Sequence, residues 1–84
     1  MRNNDVLKKQ IIYRSSHRGI KEMDMLLGSF VSEHIRFLNE KNLKDLNIIL
    51  SIEDEVLYDW YFNKKDNNKV PKNEISEMLR NFKL

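Results

Sequence analysis

Few residues in this chain are of a type that could do chemistry, and most of them stand in no catalytic pattern. The two histidines, His17 and His34, share no HxxxH or HExxH spacing and have no evident third ligand, so no metal site is expected. The serines lack an elbow such as GxSxG, and neither GxGxxG nor a Walker loop occurs. Cysteine is absent, which excludes thiol catalysis, zinc-thiolate sites and disulfides. Carboxylates are plentiful, but no acid/base pair stands out from the charge of ordinary solvated helix faces. No catalytic residue is assigned.

One segment does gather charge around a glycine: Arg14-Ser15-Ser16-His17-Arg18-Gly19-Ile20-Lys21-Glu22-Met23-Asp24. Gly19 can end a preceding helix, because glycine takes the left-handed conformation past a helix end without a Cβ clash. Glu22 and Asp24 then fall in the first turn of the next helix, where the dipole favours negative charge by about 0.3–1 kcal/mol. Arg18 and Glu22 are placed to bridge across the turn, an exposed pair of about 0–1 kcal/mol. A helix end followed by a charged helix start accounts for every residue here, and is the reading the residues alone favour over a binding face. His17 belongs to that polar hinge, either solvated or part of the face. His34 falls on an apolar stripe and reads as a half-buried core histidine.

A second cluster is aromatic: Tyr58, Trp60, Tyr61 and Phe62, beside Asp54 and Asp59. Helical spacing puts Leu57, Trp60 and Tyr61 on a core face and Tyr58 with Phe62 on another. Both faces of so short a segment are hard to cover in a small domain. The second face therefore reads either as core or as an exposed aromatic patch with an acidic rim, suited to a protein contact.

The elements that must position these residues are helical. Only one Pro and two Gly interrupt 84 residues. A first segment, about Asn4 to Ser16, carries Val6, Leu7, Ile11 and Tyr13 on an uneven apolar side, with Asn4 or Asp5 as its cap. A second carries Met23, Leu26, Leu27, Phe30, Val31, Ile35 and Leu38 at three- and four-residue steps, the stripe of a helix of about four turns. Gly28 lies inside it at a cost of about 1 kcal/mol against alanine, either tolerated or marking a close helix crossing. A third helix is capped by Asn42 and turns Leu43, Leu46, Ile49 and Leu50 inward. A break at Ser51 to Asp54 leads into a fourth helix with the aromatic cluster. Residues 63–70 form a solvated, flexible loop. Pro71 suits the first turn of a fifth helix with Ile75, Met78, Leu79 and Phe82 inside. The expectation is a single all-α domain over residues 1–84, a small five-helix bundle with its hinge at residues 18–22.

Composition narrows the function further. A domain of this size buries only about 60–65% of its unfolded surface, too little to enclose a cofactor with a substrate. Fifteen basic and thirteen acidic residues are interspersed, for a net charge of +2, with no one-sided basic stripe of the kind a nucleic-acid binder carries. No apolar run approaches the roughly 20 residues of a membrane span. Met1 to Asp5 has no apolar h-region and an early acid, so it reads as neither signal nor transit peptide. A bacterial cytoplasm is expected rather than a mitochondrial matrix.

Arg18, Gly19, Glu22 and Asp24 form an RGxxExD segment, followed by Leu26, Leu27 and Phe30. Ile49-Leu50, Asp54 and Leu57-Tyr58-Asp59-Trp60 form a second run of a hydrophobic pair, an acid and Leu-aromatic-x-Trp. Together these resemble the flavinylation factors of succinate dehydrogenase, small five-helix assembly factors. The resemblance spans about residues 6 to 82 and is most specific over 13–30 and 49–60. Ile20 stands where the family often has methionine, His17 where arginine or another polar residue is common, and Glu55 where proline is frequent. The resemblance implies a non-enzymatic factor that binds the flavoprotein subunit of succinate dehydrogenase, with that of fumarate reductase as a second client. It implies promotion of covalent FAD attachment on that partner, with no FAD held tightly by this chain. It implies partner-binding roles for Arg18, Gly19, Glu22, Asp24, His17, Asp54, Tyr58 and Trp60, and a free chain that is monomeric. The contrasting expectation is a generic helical adaptor that binds through its aromatic face and has no role in flavinylation.

Overall fold

In the computed structural model, which describes residues 3–84, the long apolar stripes become helices whose inner residues meet in one core. Met1 and Arg2, part of the N-terminal stretch read for targeting signals, lie outside the described residues. Among the described residues are α1 (Asn3–Ser16), α2 (Lys21–His34), a 3-10 turn at Ile35–Phe37, α3 (Glu40–Leu50), α4 (Asp54–Tyr61) and α5 (Glu74–Asn81), with no strand. The all-α five-helix bundle is as expected. No helix among these residues is long and apolar enough to cross a membrane.

The stripes bury as their period requires. Met23, Leu26, Leu27, Phe30 and Val31 from α2 meet Leu43, Leu46, Ile49 and Leu50 from α3. Leu57, Trp60 and Tyr61 from α4 and Ile75 and Leu79 from α5 join them, with Ile11 of α1 and Val70. Each fully buried aliphatic or aromatic side chain contributes about 1.5–3 kcal/mol. The stripe of α2 outlasts its α-helix: Ile35 and Leu38 pack against the core from the 3-10 turn and the residue after it. His34 is half-buried, bonded through Nδ1 to the Phe30 carbonyl (2.8 Å) and stacked on the Phe30 ring at 4.4 Å.

α1 contributes least apolar surface. Ile11 and Ser15 are buried and Leu7 half-buried, whereas Val6 and Tyr13 point to solvent. This corrects the expected placement of Val6 and Tyr13 on the inner side. α1 begins at Asn3, so Asn4 and Asp5 lie within its first turn and do not cap it. A Cβ on Gly28 would lie 3.8 Å from the Ser15 carbonyl oxygen, an ordinary contact: α1 does cross there, and a methyl group would still fit.

Two other helix starts differ from expectation. Asn39, not Asn42, caps α3, accepting the Asn42 amide at 2.8 Å, while the Asn42 side chain reaches Glu74 at 3.0 Å. α5 begins at Glu74, after Pro71, because Asn73 and Ser76 form a reciprocal capping box. Between α4 and α5 the 63–70 segment is exposed apart from half-buried Asn67 and the buried Val70. Arg80 holds that segment to α5, bonding Asp66 (3.2 Å) and the Trp60 carbonyl (3.1 Å).

Candidate functional site at the meeting of four helix ends

α1 stops without a left-handed glycine. Its last carbonyls are taken by side chains: Ser15 and Ser16 hydroxyls donate to the Ile12 carbonyl at 2.9 and 3.0 Å. The His17 ring sits with Nδ1 2.7 Å from the Tyr13 carbonyl, which requires the proton on Nδ1 in that contact. No glycine among the described residues has positive φ, so Gly19 does not serve as the expected left-handed cap. Ile20 follows in extended conformation and starts α2.

Arg18 turns inward from this hinge. Its Nε and Nη2 reach the same oxygen of Asp54, Oδ1, at 2.7 and 2.6 Å. Nη1 donates to the carbonyls of Leu50 (2.6 Å) and Arg14 (3.3 Å), and Nη2 donates to that of Ile52 (2.9 Å). The other Asp54 oxygen, Oδ2, accepts the amides of Gly19 (2.7 Å) and Ile20 (3.2 Å). Asp24 accepts the Arg18 amide at 2.9 Å.

Opposite charges are thereby matched to opposite helix ends. The guanidinium meets carbonyls at the C-terminal ends of α1 and α3, and the carboxylate meets amides entering α2 from the first turn of α4. The expected Arg18–Glu22 bridge does not form. Asp54 offers the planar guanidinium a partly buried partner framed by three carbonyls, which a solvent-exposed glutamate cannot match.

What stays outside is Gly19, Lys21, Glu22 and His17, all exposed. Glu22 has no ion-pair partner among the described residues. A shallow cleft of about 440 Å³ is lined by Gly19, Ile20, Glu53, Asp54 and Glu55. A Cβ on Gly19 would lie 3.5 Å from Asp54 Oδ2, an ordinary contact, so neither backbone conformation nor internal space demands glycine there. His17 stacks on Tyr13 at 3.8 Å between ring centroids, and Tyr13 is 62% exposed. That aromatic pair at the hinge was missed in the sequence, although its i,i+4 spacing was legible.

The aromatic cluster of α4 is mostly interior. Trp60 is buried at 5% exposure, with the Arg80 guanidinium 4.7 Å above its ring. The Tyr61 hydroxyl donates to the Phe82 carbonyl. Tyr58 and Phe62 pair at 4.8 Å, each half-buried against the core, so this second face lies between the two readings, core and exposed patch. Asp59 accepts from the Asn63 side chain at 2.7 Å. The fold thus unites Arg18, Gly19, Asp24 and Asp54 at one junction with His17 and Glu22 on its surface, while Trp60 lies in the core. Among the described residues, no three His, Cys, Asp or Glu side chains could together hold a metal ion.

Residues 9–83 match the profile of a family described as the flavinator of succinate dehydrogenase. The chain belongs to this family. A Dictyostelium discoideum protein named "Succinate dehydrogenase assembly factor 2, mitochondrial" is 35% identical over 83 residues, covering 93% of this chain and 57% of the relative. The "FAD assembly factor SdhE" of Acetobacter pasteurianus is 32% identical over 73 residues, covering 87% of this chain and 64% of the relative. A Candida glabrata relative, again named "Succinate dehydrogenase assembly factor 2, mitochondrial", is 30% identical over 82 residues, covering 93% of this chain and 54% of its own length. The chain therefore spans between about half and two thirds of these curated relatives. The flavinator match includes the whole four-helix junction and both runs of motif residues.

Proposed function

We propose that this chain binds the flavoprotein subunit of succinate dehydrogenase and promotes covalent attachment of FAD to it. The observation that carries the proposal is the flavinator match across residues 9–83, with the separated motif residues Arg18, Gly19, Asp24 and Asp54 bonded into one junction. In this view the factor is not an enzyme. The bond forms on the partner, between its flavin and its own side chain, and the factor favours the partner conformation in which they can react. It can do so only through contacts stronger in that conformation than in others.

The residues proposed to serve the contact, some by touching the partner and others by holding those in place, are Arg18, Gly19, Glu22, Asp24, His17, Asp54, Tyr58 and Trp60, the last from within the core. FAD stays on the partner and is not held tightly here. The proposal includes fumarate reductase's flavoprotein as a second client, a monomeric free chain, and the bacterial cytoplasm as compartment.

The test is covalent flavin fluorescence of the flavoprotein on a denaturing gel, in a host lacking its own factor and expressing this chain or its Glu22→Ala variant. Fluorescence restored by the wild type and lost in the variant supports the function and the hinge together. No fluorescence with a folded wild-type chain and its cognate flavoprotein refutes the proposal.

A further inference from the structure

We infer that Arg18 and Asp54 are positioning residues, holding the Gly19–Glu22 turn from inside without touching the partner. This rests on the function proposed above and deepens it. A guanidinium has five N–H donors, and here each has an acceptor within the chain: Asp54 Oδ1 twice, and the carbonyls of Leu50, Arg14 and Ile52. An ionised carboxylate offers about four lone-pair sites. Those of Asp54 take Arg18 Nε and Nη2 on one oxygen and the amides of Gly19 and Ile20 on the other.

Both side chains are also largely enclosed, at 9% and 15% exposure. A partner carboxylate approaching Arg18 would find no free donor, and a partner cation approaching Asp54 no free oxygen. Glu22, exposed and unpaired among the described residues, is the opposite case. The motif therefore divides by task. Its arginine and the distant aspartate fix the course of the backbone, and its glycine and glutamate are what that course presents. Because every bond depends on the fork of the guanidinium, lysine cannot replace Arg18: its three donors on a single point charge do not reach acceptors spread around a plane.

The experiment uses the whole chain with purified apo-flavoprotein of succinate dehydrogenase and FAD. Covalent flavin is measured against factor concentration for wild type, Glu22→Ala, Arg18→Lys, Asp54→Asn and the double variant. Amide exchange of Gly19 and Ile20 is measured in each free chain.

Arg18→Lys and Asp54→Asn should each raise the half-effective concentration about tenfold or more, as for a lost charged hydrogen bond. The double variant should fall within about twofold of the worse single, since the two act as one unit. Both singles should speed Gly19 and Ile20 exchange, whereas Glu22→Ala should raise the half-effective concentration and leave exchange unchanged. Full activity of Arg18→Lys, or additive losses with unchanged exchange, overturns the inference.

If the variants do not fold, the wild-type Arg18 Nε–H resonance decides. It should hold its position when partner is added while the Glu22 amide shifts, and a shift of the Arg18 signal as large as that of Glu22 overturns the inference. If the folded wild type yields no covalent flavin, the proposed function fails. The internal clamp then fails as well only if Asp54→Asn leaves Gly19 and Ile20 exchange unaltered.

Discussion

Arg18 and Glu22 lie four residues apart in one motif and face opposite ways. The guanidinium is enclosed against Asp54 and three carbonyls, and the glutamate side chain stands in solvent. Two residues that read as one ion pair in the sequence thus belong to different parts of the protein's work. Their substitutions should separate stability from function.

Arg18→Ala and Asp54→Ala should each lower unfolding free energy by about 2–4 kcal/mol, because each strands a partly buried charge with its backbone partners. Glu22→Ala should stay within about 0.5 kcal/mol of the wild type, as for exposed positions away from special features. Urea unfolding followed by circular dichroism measures all three. Equal losses for Arg18→Ala and Glu22→Ala would contradict the geometry.

Gly19→Ala should change stability little, since its Cβ meets Asp54 Oδ2 at an ordinary 3.5 Å. Gly19→Arg should leave helicity intact and abolish partner flavinylation, because the bulk projects into the exposed hinge. Circular dichroism and covalent flavin fluorescence, read on the same preparations, check the two expectations together.

Gly28→Ala should raise stability by about 0.5–1 kcal/mol, the cost of glycine inside a helix. The added methyl would lie 3.8 Å from the Ser15 carbonyl, close enough to pack and too far to clash. A fall in melting temperature would mean that α1 crosses α2 more tightly than this distance allows.

The two asparagines near the start of α3 should differ. Asn39→Ala removes an N-cap and should cost about 1 kcal/mol. Asn42→Ala removes only an exposed contact to Glu74 and should cost less. Asn73→Ala, which breaks the α5 capping box, should resemble Asn39→Ala. Paired denaturation curves give the ranking directly.

Trp60→Ala should cost about 3–5 kcal/mol through lost packing, as for other large-to-small changes of buried aromatics. Tyr13→Ala, at an exposed ring, should cost far less. Comparable destabilisation by the two would place Tyr13 in the core.

The helices and their inner faces were legible in the sequence because helical period is a local property. Met23, Leu26, Leu27, Phe30 and Val31 repeat every three or four residues, and a 3.6-residue turn stacks such residues whatever lies opposite. The same reasoning found Leu43, Leu46, Ile49 and Leu50, and put Trp60 and Tyr61 on the inner face of α4. The resemblance to the flavinylation factors, not the period, grouped the motif residues from Arg18 to Asp24 with Asp54. Local spacing placed the cap of α3 at Asn42, whereas Asn39 caps the helix: both are good capping residues, and the choice depends on the angle at which the chain enters α3.

It also paired Arg18 with Glu22, where the structure pairs it with Asp54. Glu22 was near in sequence, and Asp54 comes within reach only when α4 docks beside the hinge and brings its first turn to the open ends of α1, α2 and α3. Local spacing decided which residues turn inward on α2 to α5, and misplaced Val6 and Tyr13 on the weakly patterned α1. Only tertiary structure decided which charge Arg18 meets, because a guanidinium leaving water settles where all its donors are satisfied, and those acceptors come from helices far apart in the chain.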